Sequence, residues 1–85
     1  MNEDKQYLIG TKAEELLADE AFNEIVQLCE SQLSLQMLDA DTSERREEIH
    51  RTYLGLKSIL GMMQQFVILK DQIAAKIELE SQKRD

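Results

Sequence analysis

The sequence predicts an all-α protein, an antiparallel two-helix hairpin with a long second helix, and three observations predict it. Proline is absent and glycine occurs three times in 85 residues, while Leu, Glu, Gln, Ala, Lys and Met abound, a composition that favours long helices over sheets. The apolar residues Ile49, Tyr53, Leu56, Leu60, Met63, Val67, Ala74 and Ile77 recur at alternating steps of four and three, interrupted only by Lys70. That spacing keeps side chains on one narrow face of a helix packed lengthwise on other helices. Finally, Asp39-Ala40-Asp41-Thr42-Ser43 is short, polar and rich in helix-capping residues, and it is the only convincing internal loop.

Helix one is expected over about residues 12–38. Thr11 and Glu14 have capping-box spacing, in which the hydroxyl and the carboxylate each satisfy an otherwise unpaired backbone amide. Leu16, Leu17, Phe22, Ile25, Val26, Cys29 and Leu33 then recur at helical spacing, and Met37 and Leu38 close the run. Asp19 could instead cap a fresh helix at Glu20, which would kink the first helix near residues 18–20. The short apolar stretch Tyr7-Leu8-Ile9-Gly10 reads either as a preceding turn of helix or as a docking arm.

The loop is expected at 39–42, and Asp41 with Glu44 repeats the capping-box spacing. Helix two then runs from about 43 to 81, roughly 60 Å at 1.5 Å per residue, and residues 82–85 should fray. So short a loop forces the helices antiparallel and pairs residues whose numbers sum to about 82. Leu33 then lies near Ile49, Cys29 near Tyr53, Phe22 near Leu60 and Leu16 near Phe66, and a helix extended back through Leu8 would reach Ala74.

A second apolar edge, Ile59, Phe66 and Ile73 at seven-residue intervals, runs beside the first stripe. One partner helix does not cover both, so the edge needs another subunit, a binding partner, or residues 1–18 folded back over it. The expected interface residues are Leu54, Ile59, Met62, Phe66, Ile68 and Ile73. Met62 and Met63 suit such a surface or an irregular core gap, because methionine is flexible and adaptable.

Composition narrows the function. The whole chain reads as one domain with only a modest core available to it. Its formal charge of −7 is uneven: residues 1–42 hold ten acids against Lys5 and Lys12, whereas residues 43–85 hold seven acids against eight bases. Binding to nucleic acid or anionic membranes needs clustered lysine and arginine, so neither is expected. The acidic start lacks a signal-peptide pattern, and the most hydrophobic window, Thr52 to Leu69, contains Lys57, Ser58, Gln64 and Gln65, which makes a poor membrane span. A single cysteine excludes an internal disulfide.

No catalytic constellation emerges. The expected register places His50 about one turn from Cys29, but nucleophilic catalysis also needs an oriented base and an oxyanion site. Cys29 reads better as a small core residue and His50 as a boundary residue. One Cys and one His do not complete a zinc site, and the paired acids Glu14-Glu15, Asp19-Glu20 and Glu47-Glu48 resemble solvated faces; no cofactor, metal or small-molecule substrate is expected. Arg45, Arg46 and Arg51 could bind an acidic group, yet Glu44, Glu47 and Glu48 are interspersed and favour local pairing. Gly55 and Gly61, each costing roughly 1 kcal/mol in a helix interior relative to alanine, are expected to permit close helix approach, with a hinge as the alternative.

The pattern Ala13-x-x-Leu16-Leu17-x-x-x-x-Phe22, followed by Arg46-Glu47 and Tyr53-x-x-Leu56, resembles small helical proteins of tailed bacteriophages encoded among virion structural and packaging genes. The resemblance covers roughly residues 13–60 and implies a phage origin, a non-enzymatic role in the particle or its assembly, and a location in the virion or host cytoplasm. The expected function is therefore a phage structural or assembly protein that oligomerises, or docks on a larger virion component, through its apolar helix face. The alternative is an acidic inhibitor or adaptor whose charged first half occupies a basic cleft on a host enzyme.

Overall fold

A computed structural model describes residues 2–83 and contains three α-helices and, among those residues, no strand: α1 (Glu3–Ala18), α2 (Glu20–Asp39) and α3 (Ser43–Lys83). The all-α class is as the composition requires. The first helix, however, is two helices. Asp19 adopts extended backbone angles, φ −78° and ψ 125°, and its carboxylate accepts a hydrogen bond from the Phe22 amide at 2.8 Å. An aspartate that can cap in this way offers the backbone an alternative to continuing the helix, and the chain breaks there.

The other caps also differ from expectation. Asn2 caps α1, accepting from the Lys5 amide at 2.8 Å, so the helix begins well before residue 12 and Tyr7-Leu8-Ile9-Gly10 is part of it. Thr11 caps nothing; in mid-helix its hydroxyl donates to the Tyr7 carbonyl at 2.9 Å. At α3 the capping oxygen belongs to Thr42, which accepts from the Arg45 amide at 3.1 Å, and not to Asp41. The loop is residues 40–42. Gln82 and Lys83 remain helical, whereas Arg84 and Asp85, also expected to fray, lie outside the described residues.

The helices form two packing units. One joins residues 2–17 with residues 62–83, and the other comprises residues 18–61. In the first, Gly10 and Ala13 of α1 are buried against α3, where Ile73 is buried and Phe66, Val67 and Ala74 are half-buried. A Cβ added to Gly10 would fall 2.5 Å from the Phe66 carbonyl oxygen and closer still to the Lys70 Cβ. At Gly10 α1 and α3 therefore approach too closely to admit a Cβ, and only glycine fits there. Lys70, the interruption in the long apolar stripe, keeps its stem against Gly10 and its ammonium on Glu14 and Asp71, with Lys76 pairing with Glu3 at 3.0 Å. Gly10 between Phe66 and Lys70 displaces the register by about one turn from the expected pairing, and Leu16, expected opposite Phe66, is exposed.

In the second unit Ile49 is the buried residue, 2% exposed. Half-buried Phe22, Val26, Leu33 and Met37 of α2 and Tyr53, Leu56 and Leu60 of α3 complete the packing. Leu33 and Ile49 share one groove, as the expected register places them. Lys57 pairs with Glu30 at 3.8 Å and lies 5.6 Å from the Tyr53 ring centre, one turn back on its own helix.

Candidate interaction surface

The six expected interface residues divide into two groups. Leu54, Ile59, Met62 and Ile68 are exposed. Phe66 is half-buried and Ile73, only 9% exposed, is buried. The burial of Ile73 has a steric cause: the small residues Gly10 and Ala13 let α1 sit low on α3. Residues 2–17 thus fold back over the Phe66–Ile73 part of the second edge, while Ile59 stays open to solvent.

The expectation for Gly55 and Gly61 is corrected. A Cβ at either would meet nothing within 4 Å, so neither permits a helix approach among the described residues. The glycine that does so is Gly10, which the sequence pattern hid among the apolar residues Tyr7, Leu8 and Ile9.

The second unit carries an apolar groove on each flank of its helix pair. One, about 450 Å³, is lined by Ile25, Leu28, Cys29, Gln32, Leu33, Thr52 and Leu56. The other, about 370 Å³, is lined by Leu33, Ser34, Met37, Leu38, Ile49, His50 and Tyr53. Cys29 and His50 therefore face different grooves, and the structure does not bring them together. Cys29 is exposed, not the core residue its helical spacing suggested, because α2 turns its Phe22–Val26–Leu33–Met37 face inward. Ile25 and Leu38 are exposed for the same reason. Leu28 and Leu35, which sequence reasoning passed over, are exposed as well. The available signal was a stripe, Ala21-Ile25-Leu28-Gln32-Leu35, at steps of four and three beside the inward one.

Among the described residues the polar candidates do not converge on one site. Arg45 pairs with Glu48 at 3.1 Å, and Arg46 donates to the Ala40 carbonyl at 3.5 Å. Among the described residues Arg51 makes no ion pair, and no three His, Cys, Asp or Glu side chains converge as metal ligands would. A third groove, in the first unit, is rimmed by Glu3, Asp4 and Glu78 around Tyr7, Ile73 and Ile77. The two ammonium groups that pair across that unit are both held above lysine's ordinary value, Lys70 chiefly by its hydrogen bond to Glu14 and Lys76 by its bond to Glu3. No helix of the described residues is long and apolar enough to cross a membrane. No protein family, curated protein or solved structure gives a significant match to this chain.

Proposed function

We propose that this chain is a non-enzymatic interaction protein, a helical hairpin that oligomerises or docks on a larger component through apolar helix faces, in a structural or assembly role such as the resemblance to tailed-phage proteins implies. One observation carries the reading. Among the described residues three apolar side chains, Ala13, Ile49 and Ile73, are buried, whereas fourteen large ones, from Tyr7 to Leu79, are at least 40% exposed. Full burial of a large side chain is worth roughly 1.5–3 kcal/mol, of which each of these partly exposed residues forgoes a share, against a total stability of about 5–15 kcal/mol for a small domain. Surfaces of that kind mark association sites. Particle or host cytoplasm is the corresponding location.

The acidic alternative rests on α2, which carries Glu20, Glu24, Glu30 and Asp39 with no base. The two readings differ in their response to salt. Apolar association measured by sedimentation equilibrium should persist at high ionic strength, whereas an acidic decoy bound to a basic cleft should weaken steeply as screening shortens the reach of its charges. A chain that neither associates nor binds an apolar dye at any concentration would remove the support for the first reading.

A further inference from the structure

We propose that the groove between the first turns of α1 and the last turns of α3 is the docking site for a cationic amphipathic helix of another protein, seated with its apolar face on Tyr7 and Ile77 and its lysines or arginines against the acidic walls. The proposal rests on the association reading above and deepens it by naming one surface and the chemistry of its occupant. The groove, about 640 Å³, lies within the first unit. Glu3, Asp4 and Tyr7 line it from α1, and Ile73, Ile77 and Glu78 line it from α3. Its apolar surface is not used up by the contact between the two helices: Ile73 is buried, but Tyr7 is 43% and Ile77 56% exposed.

Charge selects the occupant. Each wall carries acid, and among the described residues no lysine or arginine lines the groove. Glu3 is neutralised by Lys76 at 3.0 Å, whereas Asp4 and Glu78 have no ion-pair partner among the described residues. Carboxylates on both sides of an apolar strip repel an anionic ligand and complement cations arranged around an apolar one. The two grooves of the second unit differ in this respect, since no acid lines either. Among the described residues no three acidic side chains converge as metal ligands would, so one metal ion does not satisfy these carboxylates. A polyamine would supply spread charge but nothing for Tyr7 and Ile77. Basic side chains on an apolar helix supply both, and a groove between two helices takes such a helix lengthwise through anchors three and four residues apart. From Ile73 to Gln82 the α3 wall runs about 14 Å, room for about two and a half turns. A second copy of this chain fits less well, because Lys12, Arg45, Lys57, Lys70 and Lys76 already pair with acids of their own chain.

The test is fluorescence anisotropy of a labelled peptide of about fourteen residues, ~21 Å as a helix, with leucines at steps of three and four and lysines elsewhere, titrated with the full chain. The expected result is saturable binding that weakens as ionic strength rises, and no binding of the counterpart with glutamate in place of lysine. Ile77→Ser should weaken binding about tenfold, as loss of a central apolar anchor does. Asp4→Asn with Glu78→Gln should weaken it about three- to tenfold, the scale of two solvent-screened charge contacts, and helix content by circular dichroism should be unchanged in each case. Glu24→Gln with Glu47→Gln removes the same formal charge from the second unit and should leave the affinity as it is. Equal weakening by the two double variants would overturn the groove in favour of general attraction to an acidic chain, and equal binding of both peptides would overturn the cationic occupant. If sedimentation equilibrium shows a dimer that Ile77→Ser dissociates, a second copy is the occupant and the proposal fails while association stands. A chain that binds neither peptide yet self-associates or takes up an apolar dye overturns this docking site and spares the association reading, and one that does none of these overturns both.

Discussion

At Gly10 the missing side chain decides whether α1 and α3 meet, and the same substitution should therefore have opposite signs at two glycines. Gly10→Ala gains helix propensity worth up to about 1 kcal/mol, but the new methyl meets the Phe66 carbonyl, which belongs to the backbone of a neighbouring helix and does not move cheaply. Overpacking of this kind costs about 1–3 kcal/mol, so a net loss of stability is expected in urea unfolding. Gly61→Ala meets nothing and should stabilise by about 0.5–1 kcal/mol. Equal effects at both sites would contradict the close approach at Gly10. Truncation divides the apolar residues in the same way: Ile49→Ala should cost about 2–5 kcal/mol, and Leu54→Ala, at an exposed position, less than about 0.5 kcal/mol in the monomer.

At the scale of the helices, Asp19 and Lys70 are the decisive residues. Asp19→Ala removes the oxygen that receives the Phe22 amide and should cost about 1 kcal/mol, with Asp19→Asn restoring most of it. Lys70 stands within the apolar stripe because its ammonium reaches Glu14 and Asp71 while its stem lies along α1, leaving the side chain 13% exposed. Its folded-state pKa is raised above 10.5, first by the Glu14 hydrogen bond, and that of Lys76 is raised by Glu3. A raised lysine pKa means that the folded protein holds the proton more tightly than the unfolded chain. The contribution is therefore complete below the ordinary value and is lost as pH climbs through the raised one. Thermal unfolding followed by circular dichroism should show the wild type losing stability more steeply above pH 10.5 than Lys70→Met does, and parallel curves would refute the pairing.

For the whole molecule, the proposed association through exposed apolar faces predicts that the thermal midpoint depends on concentration. An associated native state is stabilised by mass action because the unfolded chain does not make the same contact. The midpoint should rise over successive tenfold increases in protein concentration, with helix content well above half throughout. A flat midpoint would mean that the exposed stripes on α2 and α3 contribute no association under those conditions.

What could be read from the residues alone was whatever depends on near neighbours in the chain. The helical class, the loop before Ser43 and the extent of α3 follow from the absent proline, the three-and-four spacing and one cluster of capping residues, all of which act within a few positions of themselves. The break at Asp19 was legible as an alternative for the same reason, although Asn2 and Thr42, not Thr11 and Asp41, proved to be the caps. Packing across helices was less legible. A stripe such as Ala21-Ile25-Leu28 lies one residue from Phe22-Val26-Cys29, and periodicity does not distinguish which of two adjacent stripes a partner helix will cover. In the first unit that choice was made by the close approach at Gly10, which brought α1 over Phe66 and Ile73 and buried Ile73. Approach distance depends on side chains far apart in the sequence meeting in space, and so it was decided by the tertiary structure.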